Sequence, residues 1–137
     1  MALFDVFDVA GSAMSAQSVR LNTTASNLAN ASTAAASAAE AYRSRQPVFQ
    51  ATMNALQPDP AEAGVAVAGI VESQAPPAKV FQPGHPMADA EGYIYMSNVN
   101  VIDEMVNMIS ASRSYENSVE VMNTSKELLL RTLSLGQ

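Results

Sequence analysis

The chain contains no cysteine, so neither a disulfide framework nor a thiolate zinc site can hold it together. Its stability must come from packing, and the redox compartment is left open. Cations are scarce, with seven Lys and Arg against thirteen Asp and Glu for a net charge of −6. Binding a phosphate backbone needs clustered bases that displace counterions, which argues against nucleic acid as a partner. Long apolar runs are also missing. A membrane-spanning helix needs ~20 such residues, and the run at 105–109 is already broken by Asn107. The first cation is Arg20, after Asp5 and Asp8, so the basic start and apolar run of a cleaved secretory peptide are not there.

What is present is helical at both ends. With 137 residues, 48% of them apolar, one folded unit is expected. Steps of 4 and 3 from Leu3 reach Phe7, Ala10, Met14, Gln17, Leu21, Thr24, Leu28 and Ala31, and seven of these nine positions are apolar. The same stepping from Val101 reaches Met105, Met108, Ser112, Tyr115, Val119, Met122, Lys126, Leu129 and Leu133, with eight of ten apolar or aromatic. A 3.5-residue stripe held this long predicts two helices that pair as a coiled coil. The second is expected over 100–135. Asn100 caps it, Asp103 and Glu104 suit its positive start, and Arg131 and Gly136 suit its finish. The first is less sharply bounded, because the alanine-rich 34–41 is compatible with helix and either frays or continues it.

All seven prolines fall between Pro47 and Pro86, so the middle is not helical. Residues 46–53 and 64–72 read as short strands, and 75–92 as an extended loop. The expected organisation is an N-terminal helix with its alanine-rich extension over 1–41, a β and loop segment over 42–96, and a C-terminal helix over 97–137. The expected fold class is mainly α, an elongated coiled coil of terminal helices with a small β-rich middle. A 35-residue helix spans roughly 52 Å, against a radius of gyration of ~14 Å for a compact domain of this length.

One further absence bears on function. Residues 21–39 carry no charge, although a solvated helix face ordinarily carries Lys and Glu. This polar, alanine-containing face either docks on a neighbouring subunit without the desolvation cost of a charge or packs within its own domain.

The run RLNTTASNLANA at 20–31 is similar to the N-terminal signature of the flagellar rod and hook proteins, and NVNVIDEMVNMI at 98–109, continuing through SRSYE at 112–116, resembles their shared C-terminal ending. The linker PGHPMADAEGYIY at 83–95 is similar to that of the short proximal-rod members rather than the longer distal-rod and hook proteins. The resemblance covers about 3–31 and 79–137. It implies a structural subunit of the proximal rod of the flagellar basal body, exported by the flagellar type III apparatus without peptide cleavage and assembled in the periplasm around the export channel. The implied partners are other proximal rod proteins, distal rod proteins, the export-gate adaptor at the rod base and further copies of itself. Neither a cofactor nor a metal is implied.

The expected interhelical stripe is Leu3, Phe7, Met14, Leu21 and Leu28 against Val101, Met105, Met108, Tyr115, Val119, Met122, Leu129 and Leu133. The candidates for contacts between subunits are Asn22, Thr23, Ser26, Asn27, Asn30, Arg20 and Arg113, the two arginines equally able to bridge the helices. Catalysis is not expected. The single histidine, His85, could serve Ser97 with Asp89 as an enzyme's triad, but between Gly84 and Pro86 it reads as a turn residue. The acid pairs Asp103 with Glu104 and Glu116 with Glu120 read as solvated charges rather than metal or acid-base groups. The other alternative is a type III secreted coiled-coil translocator or effector acting on membranes or host proteins, which would bind lipid or carry a hydrophobic helix long enough to insert.

Overall fold

A computed structural model describes residues 3–53 and 63–135, without the side chains of residues 3 and 4; the expected roles of the Leu3 side chain and of Gly136 lie outside what is described. The first helix, α1, spans Leu3–Asn30. Its end is fixed by side chains that take over the last carbonyls: Asn30 Nδ2 donates to Ser26 O at 2.8 Å and Thr33 Oγ1 to Asn30 O at 2.7 Å. Capture of terminal carbonyls in this way stops a helix. The alanine-rich segment accordingly turns away, and its strand β1, Ala34–Ala35, pairs with β5, Tyr93–Met96.

Strands β2, Arg45–Thr52, and β3, Gly64–Glu72, form an antiparallel pair in register from Arg45↔Glu72 to Thr52↔Gly64, with a bulge at Val48/Phe49. These are the two strands expected from sequence. Strand β4, Ala78–Phe81, lies where the sequence suggested only loop, and it pairs with β5. The order β1-β5-β4 puts β5 in the centre of a three-stranded sheet, and its Ile94 is among the largest fully buried side chains.

The loop joining β4 to β5 is held by Asp89. Its Oδ1 accepts from the backbone N–H of Glu91 at 2.9 Å and of Tyr93 at 2.8 Å. Gly92 completes the turn with φ +82°, and a Cβ there would come within 3.0 Å of Phe81 and Pro83. The Tyr93 N–H, with that of Glu91 and the nearby Lys79 charge assisting, holds the Asp89 carboxyl below its usual range against partial desolvation. Because the folded value is depressed, this support is complete above the ordinary carboxyl value and is lost as pH falls through the folded one. Amide exchange at Glu91 and Tyr93, corrected for intrinsic rate, is expected to accelerate only below the ordinary carboxylate range. Asp89→Asn should flatten that profile; an unchanged profile would remove Asp89 from this role.

The second helix, α2, spans Val101–Leu135. Asn100 caps it as the sequence indicated, its Oδ1 accepting from the Ile102 N–H at 3.0 Å. Asn98 ties the approach to α2 to the middle segment, accepting from Ser44 N–H at 2.7 Å and donating to Ala75 O at 2.8 Å.

The fold class is therefore mixed and not the expected mainly-α coiled coil: roughly half of the described residues are helix and about 22% are strand in two antiparallel sheets. The discrepancy comes from the middle segment, where short strands of low local signal are assembled by long-range pairing. Helix α1 has α2 on one side and the β2–β3 pair on another, whereas among the described elements α2 packs on α1 and reaches β2 only through a side-chain hydrogen bond from Gln46. No helix among the described residues is long and apolar enough to cross a membrane.

Candidate assembly surface

The antiparallel helices are joined to the middle segment at one buried polar node. Asn27 is 0% exposed and Glu104 3%. The Asn27 carboxamide bonds to both backbone groups of one residue of β2, accepting from Arg45 N–H at 2.9 Å and donating to Arg45 O at 2.8 Å. It also accepts from the Tyr42 hydroxyl at 2.9 Å and donates to Glu104 Oε2 at 3.0 Å. The other Glu104 oxygen accepts from Gln46 Nε2 at 2.9 Å. One asparagine thus gathers α1, β2 and α2, and a buried carboxylate is satisfied by two amide donors without a cation.

Farther along, Arg20 Nη2 on α1 donates to Asn107 Oδ1 on α2 at 3.1 Å. Ser12 on α1 accepts from Val65 N–H of β3 at 3.0 Å, so the hairpin lies along α1 from residue 27 back to residue 12. This double packing accounts for the missing charge at Thr23, Thr24 and Asn27, which are buried inside the subunit, while Asn22, Ala25 and Ala29 on the outward side are exposed.

On α2 the line of burial runs through Glu104, Met108, Ala111, Ser118, Met122, Ser125 and Leu129, with Asn107, Ser112, Ser114 and Val119 half-buried beside it. Met108, Met122 and Leu129 belong to the expected stripe, and Tyr115 lies in the same line while still partly exposed. Val101, Met105 and Leu133 are exposed, and Val119 is half-buried at the flank. On α1, Phe7, Met14, Leu21 and Leu28 are all half-buried. Gln17 in the same stripe has a buried Oε1 without a hydrogen-bond partner among the described residues.

Of the residues considered for contacts between subunits, Asn22 and Arg113 are exposed. The others have partners within the chain. Arg20 bridges the helices, Thr23 Oγ1 donates to Val19 O at 2.8 Å, Ser26 Oγ lies 3.3 Å from the Tyr42 hydroxyl, and Asn30 closes α1. Glu104, read from sequence as a solvated charge, is instead buried in the seam. Its place was signalled by spacing, one turn before Met108 and seven residues before Ala111, while its charge argued the other way.

The surface left to water is apolar at the start of α2, where Val101, Ile102, Met105, Val106 and Ile109 are exposed, and again at its end, where Leu128, Leu130, Leu133 and Leu135 are. Contiguous apolar patches of this kind mark contact surfaces. The histidine loop shows no comparable arrangement. His85 Nδ1 accepts from Met87 N–H at 3.1 Å, Ser97 Oγ from Val99 N–H at 3.2 Å, and Asp89 is occupied by its turn. Each is engaged in local backbone geometry.

Comparison with known proteins matches both ends. The family described as "Flagella basal body rod protein" covers residues 7–36, and "Flagellar basal body rod FlgEFG protein C-terminal" covers 90–135. The chain is 56% identical over 98 residues to the flagellar basal-body rod protein FlgC of Yersinia enterocolitica, covering 72% of this chain and 71% of that protein. It is 53% identical over 98 residues, with the same coverage, to FlgC of Salmonella typhimurium. Similarity to FlgC of Buchnera aphidicola subsp. Acyrthosiphon pisum is 42% over 74 residues, 54% of each chain.

Proposed function

The chain belongs to the FlgC family of flagellar basal-body rod proteins, and from that premise we propose that it forms the proximal part of the rod, its paired helices lining a tube through which later subunits pass. It is a structural subunit of the basal-body rod. The observation that carries the reading is that the two matched segments, 7–36 and 90–135, are those the fold brings together as α1 and α2. The two family models thus cover the helix pair together with strands β1 and β5.

Assembly with other rod proteins follows from the same membership. Neighbours among the proximal and distal rod proteins, the adaptor at the rod base, a periplasmic position and uncleaved export by the flagellar type III apparatus complete the proposal. The exposed apolar ends of α2 support it, since a subunit that worked alone would gain nothing from leaving them in water.

Deleting the gene from its native bacterium should abolish rods and swimming, and the intact chain supplied in trans should restore both. Purified basal bodies should then contain the chain between the export gate and the distal rod. Normal rods in the deletion strain would refute the assignment.

A further inference from the structure

The outward face at the start of α2 is both apolar and coherent. Ile102, Val106 and Ile109 recur in steps of 4 and 3 opposite the seam, with Val101 and Met105 on the flank of the same surface, and all five are 44% to 72% exposed. The same face continues to Arg113, one turn beyond Ile109, which is exposed and unpaired among the described residues. The outward face of α1 is of the opposite character. From Asp8 it runs through Gly11, Ser15, Ser18, Asn22, Ala25 and Ala29, again in steps of 3 and 4, with small or short side chains and no charge after the first. Asp8 is likewise exposed and unpaired among the described residues.

We infer that the start of α2 in one copy docks, antiparallel, on the outward face of α1 in a second copy. This rests on the rod assignment above and adds to it which two surfaces meet. Charge complementarity selects the occupant and the register. With Arg113 of one copy opposed to Asp8 of the next, an antiparallel alignment sets Val106 against Ser15 and Ile109 beside Gly11. Large side chains then enter a face with little volume of its own, which lets the helices approach to about 8 Å, the close end of ordinary packing. The pairing repeats between copies the antiparallel arrangement α1 and α2 already have within one.

Because the two faces differ, each copy keeps one half-contact free on either side, so the interaction propagates instead of closing. Five large side chains are far fewer than the roughly 20 residues a side of a stable dimer. The contact is accordingly weak between dilute subunits and becomes populated in the ordered array.

The absence of native cysteine makes the test direct. The full-length chain with Ser15→Cys and Val106→Cys would replace the wild type, and purified basal bodies would be treated with a short thiol cross-linker. Linked copies are expected from the double variant, and none from Val106→Cys alone. Adding Arg113→Glu should lower the linked fraction about tenfold, the scale of a like-charge clash, and adding Asp8→Arg as well should restore it. Linkage by Val106→Cys alone would overturn the inference in favour of a two-fold contact between α2 helices. Incorporation into basal bodies without any link between positions 15 and 106 would overturn it while leaving the rod assignment standing. Failure of the cysteine-free chain to enter basal bodies would instead defeat the assignment itself.

Discussion

Replacement of Asn27 by leucine is expected to lower the stability of the subunit by about 3–5 kcal/mol, a large part of the ~5–15 kcal/mol available to a domain. The substitution strands Arg45 N–H and Arg45 O, leaves the Tyr42 hydroxyl with Ser26 alone, and removes one of the two amide donors to a carboxylate that is 3% exposed. Leucine has the same branched outline with more volume, so the loss reflects unpaired polar groups and not a cavity. Urea unfolding of the purified chain, followed by circular dichroism, would measure it. Glu104→Gln should cost less, about 2 kcal/mol, because one new NH₂ group faces an amide donor where an oxygen was needed. Replacing both residues together, Asn27→Leu with Glu104→Met, should cost less than the sum of the single changes, since no buried charge is then left under-bonded. An Asn27→Leu midpoint within error of wild type would show that the node is dispensable.

The second large effect is expected at Ala111, which is 0% exposed in the α1–α2 seam. Leucine there adds three carbons where no space is available and must spread the helices or distort rotamers, a cost of about 1–3 kcal/mol. Glycine should also destabilise, by about 1 kcal/mol, through loss of helix propensity. Only the leucine variant should disturb the Arg20–Asn107 hydrogen bond, so that Arg20→Ala has a smaller additional effect in that background than alone. A leucine variant as stable as the parent would place Ala111 beside slack instead of a tight seam.

The two helices, the capping role of Asn100 and the hairpin of 46–53 with 64–72 could be read from spacing and from the positions of proline. The phase of α2 could not be. A 4-3 repeat through Met108, Tyr115, Met122 and Leu129 has two completions, and apolarity favours Val101, Met105, Val119 and Leu133 over Glu104, Ala111, Ser118 and Ser125. The second set is the more enclosed, because small residues permit close approach and Glu104 finds amide donors on α1 and β2. Hydrophobicity alone cannot separate a seam within the subunit from a face reserved for another chain. Strands β1 and β4 were illegible for a different reason: with two and four residues, they exist through pairing with β5, and neither has a pattern of its own. The polar stretch 21–39 is open to two readings in sequence, and burial assigns Thr23, Thr24 and Asn27 to packing within the chain while Asn22, Ala25 and Ala29 stay exposed.

The bond from Asn27 to Glu104 spans 77 residues, and that separation sets the order in which the molecule can come into being. A chain that has emerged only as far as its hairpin has an α1 with no helix to pair with and a β2 peptide held by an asparagine whose last partner is still to come. Local turns can form early, but the closure that makes them cooperative waits for the final quarter of the sequence. The cost of joining distant ends falls due before most of the stabilising contacts exist. A partly delivered chain therefore remains pliable, and arrival of its last helix converts a thread into a stiff strut.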